Sequence, residues 1–136
     1  MKFADVTPNL VVADVQASLA FYRDVLGFTL VTTVPDAAPF AFAWMKRDGV
    51  DIFLNSLEVT RTHDADLGAR PIRGAASVFI VIEADAIANG VDALFASIGS
   101  RAPVRMPLTD QFYGMREFSI DDPDGYVIIF AQALRK

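Results

Sequence analysis

The chain has 136 residues, 53% of them hydrophobic and 21% charged, which is enough to bury one core without disulfide or metal staples. It contains no Cys, so thiolate nucleophiles, Cys-bound zinc and iron–sulfur clusters are excluded. Net charge is −5 with Lys and Arg spread singly, leaving no basic footprint for nucleic acid; no apolar run approaches the ~18 residues of a membrane span, and a soluble, cytoplasmic protein is expected.

Residues 4–12 pass from partial alternation into the run Leu10-Val11-Val12 and read as a first strand. Asp14 is a candidate N-cap. Val15, Leu19, Tyr22 and Leu26 then fall at i, i+4, i+7 and i+11, the stripe of an amphipathic helix that Gly27 would end. Residues 28–34, 40–46 and 50–54 are rich in β-branched and aromatic side chains, the last two flanking Arg47-Asp48-Gly49, so the first half reads βαβββ. From 58 to 74 the chain is polar, carries Pro71 and Gly74, shows no period, and is assigned to a linker or flap.

Residues 75–82 form a strand almost free of polar side chains, expected to be buried on both faces. Asp85 is expected to cap a second helix bearing Ile87, Val91, Leu94, Phe95 and Ile98, with Gly99 as its stop. Strands follow at 101–106, where Pro103 and Pro107 indicate an edge or a rim, at 115–120 and at 126–131. Asp122-Pro123-Asp124-Gly125 joins the last two: Pro sets φ and Gly supplies a positive φ.

The second half thus repeats the first, and Arg47-Asp48-Gly49 stands to its strands as the Asp-Pro-Asp-Gly turn does to its own. An α+β fold is expected: two tandem βαβββ modules, at about 1–57 and 75–136 of a single domain, with curved mixed sheets enclosing a cleft for a ligand.

Two stretches carry a resemblance. Val12-x-Asp14, Ser18-x-x-Phe21-Tyr22 and Leu26-Gly27-Phe28 at the start, with Asp122-Pro123-Asp124-Gly125-Tyr126 near the end, resemble the vicinal oxygen chelate superfamily across essentially the whole chain. Its members include glyoxalase I-type isomerases, extradiol dioxygenases, fosfomycin-modifying transferases and metal-free antibiotic-binding proteins. The resemblance implies metal-ligand places on the first strand of each module, about seven residues before the capping acid, and on the last strand, four after the turn glycine. Those places hold Thr7, Val78, Phe53 and Ile129, none of which is a carboxylate, amide or imidazole. Three offer no lone pair, and one neutral hydroxyl does not hold a divalent ion against water. A register slip would offer Glu83 or Asp51 only by turning a strand over. The sole histidine, His63, lies in the polar stretch and is read as a solvated loop side chain rather than a metal ligand or base.

Tyr113-Gly114-Met115-Arg116-Glu117-Phe118, followed by Asp122-Pro123-x-Gly125, looks like the last hairpin of the bleomycin resistance proteins, and Pro8-x-Leu10 with Asp14-Val15 looks like their opening. The resemblance implies a metal-independent homodimer without a cofactor, binding an aromatic or cationic small molecule in a dimer cleft. Strand alternation puts Asn9 and Val11 with Thr7, Asp51 and Asn55 with Phe53, and Val127 and Ala131 with Ile129. Asn9 and Asn55 would orient a ligand, or meet water at strand ends. Phe40, Phe42 and Trp44 share one strand face and offer either a stacking surface or core. Tyr113, Arg116 and Glu117 complete the candidate set; Arg116 and Glu117 point to opposite faces, and Glu117 is the candidate to bind a cation or accept a proton. Two alternatives stay open: a glyoxalase-type lyase or isomerase, with a relocated metal or Glu117 as a metal-free base, and a structural dimer with a vestigial pocket.

Overall fold

The computed structural model describes residues 1–134 and divides into two compact units, Met1–Ile72 and a second beginning at Arg73. Each is built on a four-stranded mixed sheet, and the two sheets share one topology, β1-β4-β3-β2 and β5-β8-β7-β6, with the first strand parallel to the last. The architecture is the expected α+β repeat.

In the first unit, β1 (Asn9–Val12), β2 (Thr29–Val34), β3 (Phe42–Arg47) and β4 (Val50–Ser56) carry helix α1 (Val15–Asp24). Asp14 caps α1 by accepting from the Ala17 N–H at 3.2 Å. Val15, Ser18, Leu19 and Tyr22 are its buried residues, and Ala43, Met45, Ile52, Leu54 and Val12 are the buried side chains of the sheet. The chain leaves the helix at Gly27, where the Arg47 guanidinium donates to the Leu26 carbonyl at 2.6 Å, a cation placed on a helix C-terminal carbonyl. Much of the stretch 58–74, assigned to a linker or flap without regular structure, is helical: α2 (Leu57–His63) and α3 (Ala65–Gly68) occupy its first part. Ser56 and Asp64 cap them through Oγ to the Val59 N–H and Oδ1 to the Leu67 N–H. Helices of one or two turns with no fully buried apolar side chain display no hydrophobic period, so their polar residues read as a linker while acting as caps.

In the second unit, β5 (Ser77–Val81), β6 (Val104–Asp110), β7 (Met115–Asp121) and β8 (Val127–Ala133) carry α4 (Val91–Ile98). Phe118 stacks on Phe130 with centroids 5.0 Å apart and meets Phe95 of α4 edge-on, also at 5.0 Å. Two expectations fail here. Asp85 does not cap α4, which starts after Gly90; the buried Gln132 side chain accepts from the Val91 N–H at 2.9 Å and does the work of a cap from β8. Nor is β5 buried on both faces: it is an edge strand, with Val78 and Ile80 half-buried while Phe79 and Val81 are 48% and 57% exposed. β6, the other edge, carries Pro107 and shifts register twice against β7.

The β7–β8 turn is tied by Asp122, whose Oδ1 accepts from the Asp124 and Tyr126 N–H groups at 2.9 and 2.8 Å. Gly125 sits at φ +84°, and the Arg73 guanidinium lies where its side chain would be, 2.7 Å from an ideal Cβ. The dihedral favours glycine, whereas the space is taken by the end of a flexible side chain that can move.

Candidate functional site

Sheet pairing in the first unit brings most of its predicted residues onto the face away from α1. Asn9 pairs with Phe53 and Val11 with Asn55; across the β3–β4 hairpin, Phe42 pairs with Asn55, Trp44 with Phe53 and Lys46 with Asp51. Phe53 is the centre: Phe42 meets it edge-on at 5.1 Å and Trp44 at 5.8 Å. All three rings are half-buried, in contrast to the buried Ala43, Met45, Ile52 and Leu54 that alternate with them. Alternation thus separates a core face from an aromatic face that keeps access to solvent.

Each end of this aromatic face is polar. At one end the Trp44 indole N–H donates to Asp51 Oδ1 at 2.7 Å, and Lys46 Nζ donates to the same carboxylate at 3.1 Å. The indole hydrogen bond, followed by the Lys46 hydrogen bond and charge, holds the Asp51 carboxyl below its ordinary value. At the other end the Asn55 amide donates to the Asn9 side-chain oxygen. Aromatic edges with a carboxylate beside them can take a flat or cationic group by stacking and charge. Phe40 is not part of the set. It precedes β3 in the loop that holds Pro35 and Pro39, and the ring contacts run Phe42–Phe53–Trp44 without it. The Trp44–Asp51–Lys46 arrangement was not foreseen, although the hairpin register around Arg47-Asp48-Gly49 contains it.

In the second unit Arg116 and Glu117 do point to opposite faces of β7. Arg116 pairs with Gln132 and is held by two carboxylates, Asp92 of α4 at 2.7 Å and Asp110 at 2.9 Å, so its guanidinium is committed to tying the helix to the sheet rather than to a ligand. Glu117 lies on the other face, opposite Ala131 of β8 and Thr109 of β6, and is only 4% exposed. Its Oε1 accepts from the Tyr113 hydroxyl at 2.5 Å; its Oε2 is buried and has no hydrogen-bond partner among the described residues. The Glu117 hydrogen bond, then burial and the carboxylate charge, raise the Tyr113 phenol above its ordinary value and keep it protonated.

The family metal places do not converge on a donor set. Ile129 of β8 pairs with Phe79, not Val78; Val78 pairs with Ile128 and shares the face of the buried Ile128 and Phe130. Counting back seven residues from the expected capping acids misplaces the first-strand position in both units: register puts Phe79 rather than Val78 opposite Ile129, and Asn9 rather than Thr7, which precedes β1, opposite Phe53. By register, Phe79 and Ile129 match Asn9 and Phe53 of the first unit. Phe53, Phe79 and Ile129 bring no donor atom, Asn9 brings one neutral amide whose oxygen is taken by Asn55, and among the described residues no group of three His, Asp or Glu side chains could hold an ion. These residues do not fit a divalent metal. His63 is exposed at the end of α2. A cavity of about 620 Å³ in the second unit, lined by Val81, Glu83, Asp85, Ile87, Gln132 and Leu134 among others, contains none of the predicted ligand residues.

Comparison with known proteins agrees with this architecture. A bleomycin resistance protein from Geobacillus stearothermophilus is 33% identical over 136 residues, spanning 94% of this chain and 96% of its own. Two solved structures share the fold at lower identity. One is a bleomycin-binding protein from Streptomyces verticillus, complexed with copper(II)-bleomycin (TM-score 0.65, 22% identity, 96% of each chain). The other is a lactoylglutathione lyase from Agrobacterium tumefaciens (TM-score 0.68, 22% identity, 95% of this chain and 92% of that one). A family profile described as Glyoxalase/Bleomycin resistance protein/Dioxygenase superfamily matches residues 3–130, and with the repeated four-stranded sheets it establishes that the chain belongs to that superfamily.

Proposed function

We propose that this protein binds an aromatic or cationic small molecule without a metal, in the manner of the bleomycin resistance proteins, and acts as a homodimer. One observation carries the reading: Phe42, Phe53 and Trp44 lie half-open on the sheet face away from α1, with Asp51 hydrogen-bonded to the indole. Aromatic rings needed only for folding would lie against the helix, where Ala43, Met45, Ile52 and Leu54 are instead buried. The metal places, which by register offer a single neutral amide, Asn9, and no carboxylate or imidazole, support the metal-independent part. The exposed Phe79 and Val81 on edge strand β5 support association with a second copy.

The chain has a single tryptophan, and it stands in the proposed site. Titration of metal-free protein with bleomycin, followed by Trp44 emission, is expected to show saturable quenching that EDTA leaves unchanged. Phe53→Ala is expected to weaken binding at least about tenfold, the loss of one buried aromatic contact. Light scattering is expected to report a dimer. No emission change at saturating drug, or one that requires added metal, refutes the reading.

A further inference from the structure

The second unit contains a carboxylate that the aromatic face does not use. Glu117 is 4% exposed and, among the described residues, its Oε2 is buried without a partner and its Oε1 accepts one hydrogen bond, from the neutral Tyr113 hydroxyl. Its neighbours within the sheet on that face are Met115 and Ser119 on its own strand, Ala131 across β8 and Thr109 across β6. None is basic. The adjacent cation, Arg116, points to the opposite face and is occupied by Asp92 and Asp110. Among the described residues Glu117 forms no salt bridge. A buried carboxylate without a counter-charge is costly, and one oxygen left unpaired adds to the cost. A stable fold does not gain from such an arrangement; a binding protein does, because a ligand then supplies what the site lacks.

We propose that Glu117 is the recognition group for a protonated nitrogen that carries N–H, an ammonium, amidinium or guanidinium of a small molecule, which donates to Oε2 while Tyr113 holds Oε1. Tyr113 sits in the turn between β6 and β7, is 49% exposed and donates to Oε1, so the buried carboxylate lies one side chain in from the surface. The orphan acceptor adds a requirement beyond charge. A quaternary ammonium is equally cationic but has no hydrogen to donate, and the site is expected to discriminate against it. The inference deepens the reading of the chain as a small-molecule binder by naming the functional group that a ligand brings to the second unit.

The test uses three probes of one shape class, benzylammonium, benzyl alcohol and benzyltrimethylammonium, titrated into full-length protein and followed by NMR at the Ala131 methyl and Tyr113 ring. In the wild type, benzylammonium is expected to bind at least about tenfold more tightly than either other probe, the worth of one charge-assisted hydrogen bond, and to be the probe that moves the Ala131 methyl. Glu117→Gln keeps an acceptor for Tyr113 and removes the charge; it is expected to abolish the preference and leave benzyl alcohol binding unchanged. Tyr113→Phe keeps the carboxylate and is expected to retain the preference, which provides a reading should Glu117→Gln fold poorly. The proposal is overturned if the preference survives Glu117→Gln, if Tyr113→Phe abolishes it, if the quaternary probe binds as well as benzylammonium, or if no probe binds. Trp44 emission with bleomycin reports separately on the aromatic face, so quenching there with no ammonium preference sinks this inference alone. The preference without quenching sinks the aromatic-face reading alone.

Discussion

Gln132 offers the sharpest test of how the second unit is held together. It is 5% exposed on β8; its Oε1 accepts from the Val91 N–H at 2.9 Å, and its Nε2 donates to the carbonyls of Ala86 at 3.3 Å and Ala84 at 3.5 Å. One amide thus satisfies a first-turn N–H of α4 and pins the loop where Asp85 was expected to do the capping. In Gln132→Ala the buried Val91 N–H loses its partner, at about 1–3 kcal/mol, and the two longer bonds and side-chain packing are lost with it. A total near 3 kcal/mol corresponds to a fall in Tm of roughly 10 °C for a chain of this size. Gly90 makes the assignment specific, because an ideal Cβ there would stand 2.0 Å from Gln132 Oε1 and 2.9 Å from the Ala84 Cβ. Gly90→Ala should therefore destabilise strongly in the wild type and by at least about 1 kcal/mol less in the Gln132→Ala background. Urea unfolding by far-UV circular dichroism on the four proteins of this cycle measures the coupling. Additive losses within about 0.5 kcal/mol would refute the idea that Gln132 fills the space Gly90 leaves open.

Two further predictions address the β7–β8 turn and the acidic end of the aromatic face. Gly125→Ala is expected to cost about 1–2 kcal/mol in urea unfolding, and about 1 kcal/mol of that should persist with Arg73→Ala, since the φ of +84° is unfavourable whatever occupies the space. Asp51 has a folded-state pKa below that of the unfolded chain, so its contribution to stability is complete above the unfolded value of about 3.9 and is lost as pH falls through the lower folded value. Trp44 emission should show an acid transition with a midpoint below about 3.9 that vanishes in Asp51→Asn; a midpoint at or above the ordinary value contradicts the indole–carboxylate bond.

The local signals were legible where a few neighbouring residues suffice to decide the conformation. Asp14 as a cap, the Val15–Tyr22 stripe and the Asp122–Gly125 turn each depend on contacts within a few positions, and each forms as expected. The same reasoning failed where a distant residue takes over a local role. Asp85 has the chemistry of a cap, but Gln132, more than forty residues away, occupies that role, and the helix begins later. Counting from the capping acids was displaced at the metal places of both units, where Phe79 rather than Val78 stands opposite Ile129 and Asn9 rather than Thr7 opposite Phe53.

By itself, the sequence determined the βαβββ repeat, the opposite facing of Arg116 and Glu117, and the lack of carboxylate or imidazole side chains at the metal places. These follow from residue type and a period of two, which no packing can alter without turning a strand over. Only the tertiary structure decided which face of each sheet is covered. It committed Arg116 to Asp92 and Asp110, set Trp44 and Phe53 on the half-open face beside Asp51, and buried Glu117 with one oxygen unmatched. Burial and partnership depend on which strands pair and where the helix lies across them, and those long-range choices leave no mark on any short stretch of chain.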